Sequence, residues 1–190
     1  TTATTGGTFQ IDTAATVLTL SAAMTPGSGT SGIMTKTGPG TLTTTVSSGT
    51  PFGNGNQTLN GGTLSIAPTA TGTLTVTMGT ITYGPGGTVL SLSGANGSLQ
   101  LTAAALSRST TGTLEILFTK TTVEPASAGT YSFTSGTSGE KMIVTSAPTV
   151  TNTMVDPSIL GVTNDAGKSL DFVNYNSTNF PNRPSTWAAP

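Results

Sequence analysis

A glycine followed by threonine and a large apolar residue occurs eight times in this chain. Glycine permits the sharp backbone bend of a turn, and threonine favours the extended conformation. The apolar residue of each triplet supplies one side chain for a core, so each triplet predicts a turn that opens a β-strand. The triplets begin at Gly7, Gly40, Gly62, Gly72, Gly79, Gly87, Gly112 and Gly129. A stack of short strands is therefore the expected architecture.

Ten strands are predicted between the turns. They are Thr8–Ile11, Thr16–Leu20, Thr41–Val46, Thr63–Ile66, Thr73–Met78, Thr88–Leu92, Ser98–Thr102, Thr113–Thr119, Thr130–Phe133 and Lys141–Thr145. Residues rich in glycine, proline and asparagine separate them, as at Gly38-Pro39-Gly40 and Gly84-Pro85-Gly86-Gly87. The alanine-rich stretch 101–106 fits either a helical turn or a buried strand.

Charged residues are scarce: they make up 7% of the chain, and its net charge is -1. None lies between Lys36 and Arg108, where hydroxyls and amides supply the polar surface. The absence of a basic cluster argues against a nucleic-acid partner. No apolar run approaches the ~20 residues that cross a bilayer, so no membrane span is expected in this segment. The chain starts at Thr1 rather than methionine, from which we expect a larger precursor.

One segment carries a family resemblance. The stretch Gly32-Ile33-Met34-Thr35-Lys36-Thr37-Gly38-Pro39-Gly40-Thr41-Leu42 resembles the Gly-Leu-x-Lys-x-Gly-x-Gly-Thr-Leu phrase of autotransporter-associated β-strand repeat proteins. A second phrase of that family, Gly-x-Leu, matches Gly62-Thr63-Leu64. The resemblance is specific for residues 32–66 and has a looser echo at 78–89. It departs from the family at 50–55, where an Asn-x-Tyr-x-Gly phrase is common.

The resemblance implies a passenger-type surface protein of Gram-negative-type bacteria, located outside the cell or on its surface. It also implies a right-handed parallel β-solenoid. The uneven spacing of the triplets leaves room for an irregular solenoid, or for a β-sandwich or jelly-roll filament subunit. In a solenoid, stacked turns would bury one continuous core while the threonines stack outward. The residues expected in that core are Leu42, Leu64, Ile66, Leu74, Val76, Val89, Leu114, Ile116 and Ile143.

The chain divides near residue 148. Residues 1–148 form the Gly-Thr-rich β-strand repeat region, and residues 149–190 are rich in aromatics, proline and asparagine. The second part is expected to be either a cap on the strand region or an arm that docks on a neighbouring copy. The residues predicted to make that contact are Phe172, Tyr175, Phe180 and Trp187.

Catalytic chemistry has little support. The chain has no His and no Cys, which excludes imidazole bases, thiol nucleophiles and His-containing triads. The carboxylates are Asp12, Glu115, Glu124, Glu140, Asp156, Asp165 and Asp171, and no spacing among them indicates an acid and base pair. A calcium site built from the last three matches no known loop spacing. We therefore predict no enzyme activity, no catalytic residue, no cofactor and no metal.

The leading functional hypothesis is a threonine-rich structural module of an extracellular fibre or surface layer, with copies of itself as partners. The alternative is an adhesin or carbohydrate-binding passenger that stacks surface glycans on Tyr83, Tyr131, Tyr175 or Trp187. Ice binding through Thr-x-Thr runs is a third hypothesis, against which the uneven triplet spacing argues. A polysaccharide lyase or hydrolase ranks last, because no acidic and basic residues cluster.

Overall fold

A computed structural model describes residues 6–25, 32–94, 97–119, 133–135, 138–146, 150–151, 154–155, 158–163, 169–172, 174–176 and 179–182. Its secondary structure consists of twenty strands, and the described residues contain no helix. Over this part of the chain, the prediction of an all-β protein is confirmed.

The first twelve strands, in chain order, are β1 (Gly6–Gln10), β2 (Val17–Leu20), β3 (Ile33–Thr37), β4 (Thr41–Thr44), β5 (Gln57–Asn60), β6 (Gly62–Ile66), β7 (Gly72–Met78), β8 (Ile81–Tyr83), β9 (Thr88–Leu92), β10 (Gly97–Ala103), β11 (Leu106–Arg108) and β12 (Leu114–Phe118). The remaining eight are β13 (Phe133–Ser135), β14 (Ser138–Val144), β15 (Val150–Thr151), β16 (Met154–Val155), β17 (Ile159–Thr163), β18 (Ser169–Phe172), β19 (Asn174–Asn176) and β20 (Asn179–Asn182).

The strands form three sheets. Sheet A has the order β1-β3-β5-β8-β11, and sheet B has the order β18-β17-β12-β9-β6-β4-β2. Sheet C has the order β15-β16-β19-β20-β14-β10-β7, with β13 also paired to β14. From β1 to β12 every pairing is parallel, and each strand pairs with one from the next turn of the chain. Parallel ladders of this kind define a β-solenoid, so the solenoid prediction is confirmed. The sandwich alternative is wrong, since sandwiches are built from antiparallel sheets.

The turns of the solenoid are more regular than the triplets suggest. Paired residues in sheets A and B lie between 22 positions apart, as Leu42 and Leu64, and 27 apart, as Gly6 and Ile33, from the first turn to β12. The triplet spacing is uneven because successive triplets open strands on different sheets. Gly62, for example, begins a strand of sheet B, whereas Gly72 begins one of sheet C.

The core is a set of side-chain ladders along the solenoid. The longest lies on sheet B, where Leu18, Leu42, Leu64, Leu90 and Ile116 occupy equivalent positions of successive strands. All but the first of these five are fully buried. Stacking one apolar residue per turn buries a continuous strip that no single turn could bury alone.

The last part of the chain pairs differently. The strands β17 and β18 form an antiparallel pair, and β20 pairs antiparallel with β14 of the solenoid. Further antiparallel pairs join β15 to β16 and β19 to β20. The described strands of the C-terminal segment are thus hydrogen-bonded within the sheets of their own chain.

Seven of the nine residues predicted for the core are buried, and two are not. Val89 is half-buried and points outward, while its neighbours Thr88 and Leu90 point inward. The Thr88 hydroxyl donates to the carbonyl of Leu59 and accepts from the N–H of Gly61, so the corner needs a hydroxyl at this position. Val89 is therefore displaced to the outer face.

Ile143 is the second wrong prediction: it is half-buried between the buried Met142 and Val144. Side chains alternate across a strand, so burying its two neighbours turns Ile143 outward. The stretch 101–106 contains the end of β10, two residues outside any strand and the first residue of β11, which makes the helical alternative wrong. Outward stacking of threonine also has exceptions, because Thr44 and Thr88 are buried.

Candidate functional site

Lys36 marks the corner at which the chain passes from sheet A to sheet B. It lies on β3 and its side chain is completely buried. Its Nζ donates to the carbonyl of Gly38 at 2.7 Å and to the carbonyl of Gly61 at 2.8 Å. Burial lowers the pKa of Lys36, because removing the ammonium from water disfavours its charged form. The lysine links the corners of two consecutive turns.

Two glycines make room for this contact. Gly61 and Gly62 have φ of 94° and 67°, a region that side chains other than glycine rarely adopt. A Cβ on Gly62 would crowd the Lys36 ammonium and two corner carbonyls. The lysine and glycines of the resemblance therefore have a direct structural role: they close a tight corner around a buried cation.

An open groove of about 520 Å³ runs along the same corner. It crosses three consecutive turns and carries no charged side chain. Its lining consists of Gly38, Pro39, Asn60, Gly61, Gly62, Thr63, Gly86, Gly87 and Val89. Backbone amides, one carboxamide, one hydroxyl and two apolar side chains are thus available to a neutral ligand. Nothing in this lining can act as a general acid or base.

The first turn of the solenoid forms a different kind of surface. Within the described residues, β1 and β2 are the outermost strands of sheets A and B at this end. Val17 is 59% exposed and Leu18 is 40% exposed, although Leu18 continues the ladder in which Leu42 is fully buried. Phe9 and Leu20 are partly buried and pack on the core. Within the described residues, the ladder is therefore only partly buried at this end.

Three carboxylates have side chains that the structure describes, and each has different surroundings. Asp12 is exposed and accepts hydrogen bonds from the Gln10 side chain, and Glu115 is half-buried on the outer face of β12. Glu140 is buried, and its oxygens accept from the N–H of Gly94 and from the N–H and hydroxyl of Thr119. It connects two loops of the solenoid. Glu124, Asp156 and Asp165 lie outside the described residues.

No group of three or more metal-binding side chains is found in the portion of the chain that the structure describes. Gln57 is the one buried side chain there with an unsatisfied atom: its Nε2 donates to the carbonyl of Gly55 at 2.6 Å, while its Oε1 has no partner. These observations give no chemical site in addition to the corner groove.

Of the four aromatic residues predicted to contact another copy, three lie in described strands and one does not. Phe172 ends β18, Tyr175 lies in β19 and Phe180 lies in β20, where it pairs with Met142 of the solenoid. Trp187 lies outside the described residues, as does Tyr131. Contacts of these side chains with another copy remain a prediction.

Tyr83 is not a platform for sugar rings. Its side chain is 2% exposed, and its hydroxyl shares a 2.9 Å hydrogen bond with the Ser158 hydroxyl. The register explains this position, because Tyr83 follows Leu59 in an inward ladder of sheet A. The Gly79-Thr80-Ile81 triplet already places Ile81 inward, and alternation by two then turns Tyr83 inward as well.

Sequence reasoning missed the corner lysine and the open first turn. A lysine inside an alternating strand normally indicates an exposed face. Two signals were present: Lys36 matches the lysine of the family phrase, and it lies between Met34 and the glycine-rich turn, which fits a strand whose buried face ends at a corner. The sequence Val17-Leu18-Thr19-Leu20 could not predict that the first turn is exposed, because buried strands of the same ladder have a similar alternation of leucine and threonine.

No family model, curated protein or solved structure matches this chain. The resemblance to autotransporter-associated repeats therefore remains a hypothesis that rests on residues 32–66. Among the described residues, no helix has the length and hydrophobicity that a membrane crossing requires.

Proposed function

We propose that this chain is a structural module of an extracellular fibre or surface layer, and that it associates with other copies through the first turn of its solenoid. The observation that carries the proposal is the end formed by β1 and β2, beyond which no described strand lies and where Val17 and Leu18 are exposed. An open strand edge offers unpaired N–H and C=O groups, and the adjacent apolar side chains supply a driving force for burial.

The first turn lacks the features that normally prevent association at strand edges. Natural edge strands carry lysine, proline, bulges or inward-facing charges. The sequences of β1 and β2 are Gly-Gly-Thr-Phe-Gln and Val-Leu-Thr-Leu, with no charge and no proline. Asp12 is the single charged residue between positions 6 and 25. Two such surfaces therefore meet with little electrostatic repulsion.

The opposite end of sheet A carries a charged residue. Among the described strands, the last one of sheet A is β11, and it carries the exposed Arg108, whose Nε donates to the carbonyl of Gly112. This asymmetry supports the first turn as the associating surface. The resemblance to bacterial surface proteins supports an extracellular or cell-surface location. The proposal requires no catalysis and no cofactor.

The test is self-association of the purified chain. Sedimentation velocity over a range of concentrations and electron microscopy should show species larger than one chain. Leu18→Lys places a charge on the edge and should shift the population to monomers. Ser107→Lys, a change at an exposed position of the opposite edge strand β11, is the matched control and should associate like the unmodified chain. An unmodified chain that stays monomeric at high concentration would contradict the proposal.

A second candidate is binding of a neutral glycan in the corner groove, in keeping with an adhesin. Two features of the groove support it. Its lining is uncharged, and it extends along three turns, a length of about 10 Å at the usual strand spacing. Val89→Trp fills the groove and should abolish binding on a glycan array. Leu117→Trp changes the same outer face of sheet B outside the groove and should not. An array without signal for the unmodified chain would remove this candidate.

A further inference from the structure

The outer face of sheet A carries an unbroken column of hydroxyl side chains, which we call the hydroxyl ladder. Five strands from successive turns each place one hydroxyl residue at the same outward position, and neighbouring strands are paired in parallel and in register. The ladder consists of Thr8, Thr35, Thr58, Thr82 and Ser107. Its two end residues are exposed, and the three between them are half-buried. The hydroxyls are therefore accessible along the whole column.

The repeat of the hydroxyl ladder is regular although the glycine triplets are not. Its members lie 27, 23, 24 and 25 positions apart in the sequence, because the connecting segments differ in length. The distance between neighbouring rungs is set instead by strand pairing, at about 4.7–4.9 Å, so five rungs span about 19 Å. The uneven triplet spacing that argues against ice binding in the sequence is therefore no argument against it on this face.

Over the strands that the structure describes, no other column keeps accessible hydroxyls in more than three successive turns. The nearest competitor is a column on sheet B with three accessible hydroxyls, then a buried hydroxyl and a leucine. Its members are Thr19, Thr43, Ser65, Ser91 and Leu117. Sheet A is thus distinguished by a longer hydroxyl column.

The composition of this face favours one kind of ligand. The outward positions beside the ladder are occupied by Gly6, Ile33, Gln10, Thr37 and Asn60. None of these residues is charged or aromatic, so the face offers no counter-charge to a charged polymer and no platform for a sugar ring. It also has none of the Trp, Tyr and Arg anchors that carry most protein interfaces. A periodic and neutral hydrogen-bonding surface matches it best, and ice is such a surface.

A hydroxyl donates and accepts hydrogen bonds, as each water molecule of an ice lattice does. Hydroxyls held at a constant repeat can therefore bind a row of waters, and the repeat along the ladder is near the repeat of oxygen atoms along one axis of ice. The sheet has already positioned these hydroxyls, so little further ordering of the protein is needed at contact. We propose that the hydroxyl ladder of sheet A is an ice-binding site. This activity does not depend on the proposed self-association.

Thermal hysteresis, the gap between the melting and freezing temperatures of a seeded ice crystal, tests the proposal. The unmodified chain should produce such a gap and should be enriched in the ice of a slowly freezing solution. Thr35→Lys puts a long, charged side chain into the ladder and should abolish both effects. Thr43→Lys makes the same change in the next strand, at an outward and half-buried position of sheet B, and should retain them.

Thr58→Lys and Thr82→Lys repeat the change at two further rungs, and circular dichroism identifies the variants that keep their β-structure. An unmodified chain with neither hysteresis nor enrichment in ice would overturn the proposal. Equal losses in Thr43→Lys and Thr35→Lys would overturn it as well, as would full activity of the folded ladder variants. Sedimentation velocity keeps this test separate from that of the proposed function, because an unmodified chain that binds ice as a monomer would support the ladder and contradict self-association.

Discussion

Sheets A and B form two walls of one solenoid with very different interiors. From β2 to β12, the inward ladders of sheet B are apolar except at Thr44 and Thr88. Those of sheet A include Lys36, Gln57 and Tyr83, all of which are buried. From β1 to β12 both walls are paired in parallel and in register. Regular backbone pairing therefore tolerates polar interior residues when they lie where a corner supplies partners.

The difference lies in how each polar group is satisfied. Lys36 meets two corner carbonyls, and Tyr83 meets Ser158. Gln57 satisfies one of its two polar atoms. Buried donors and acceptors are costly only when they lack partners. Sheet A should therefore depend more on side-chain hydrogen bonds, whereas sheet B should depend mainly on packing, with Thr88 as its hydrogen-bonded exception.

The largest effect is expected in sheet B. Leu64→Ala removes a fully buried rung of the leucine ladder and should lower the free energy of unfolding by about 2–5 kcal/mol. Leu18→Ala, in the same ladder but 40% exposed, should cost clearly less in the monomer. Urea denaturation followed by circular dichroism measures both, with the monomeric state verified by sedimentation. Equal losses for the two variants would mean that the ladder is not the stabilising element.

Lys36→Met tests the corner of sheet A. The change keeps an apolar stem but leaves the carbonyls of Gly38 and Gly61 without their donor. An unsatisfied buried acceptor costs about 1–3 kcal/mol, so stability should fall within that range. Thr35→Met, at the neighbouring outward position, is the control and should be nearly neutral. If Lys36→Met raises the free energy of unfolding, the buried ammonium destabilises the fold and does not stabilise the corner.

Gln57→Met should have a smaller effect than Lys36→Met. It removes an oxygen that has no partner among the described residues, but it also deprives the Gly55 carbonyl of its donor. The two effects have opposite signs, so the net change should lie within about 1 kcal/mol. Gln57→Glu should be much worse, because it buries a carboxylate beside that carbonyl. Similar stabilities for these two variants would contradict the described burial of Gln57.

The smallest effect concerns alkaline pH. The pKa of Lys36 is lowered by burial in the folded chain, while the unfolded chain keeps a value of about 10.4. Between these two values the unfolded state holds more protons, so the free energy of unfolding rises with pH. The rise ends above the unfolded value. Lys36→Met should lack this increment, and identical pH profiles for the two proteins would contradict it.

Sheet B could be predicted from the sequence, because its strands alternate polar and apolar residues after a glycine. Thr41-Leu42-Thr43 and Thr63-Leu64-Ser65 are examples, and both leucines are buried as expected. The strands β3, β5, β8 and β11 of sheet A were not among those predicted from local patterns. Lys36 and Gln57 occupy inward positions there and interrupt the apolar alternation. The candidate assembly surface was equally hidden, since its strands resemble interior ones.

The sequence by itself determined the class of fold: glycine-opened strands rich in threonine, a low charge and no helical period lead to stacked β-structure. Only the tertiary structure decided which triplet serves which sheet, why Thr88 and not Val89 points inward, and which leucine of the ladder is left uncovered. These features depend on pairing between residues more than twenty positions apart. Local preference is almost the same for every turn of a solenoid, so a turn's surroundings, and not its own residues, determine whether it is core or edge.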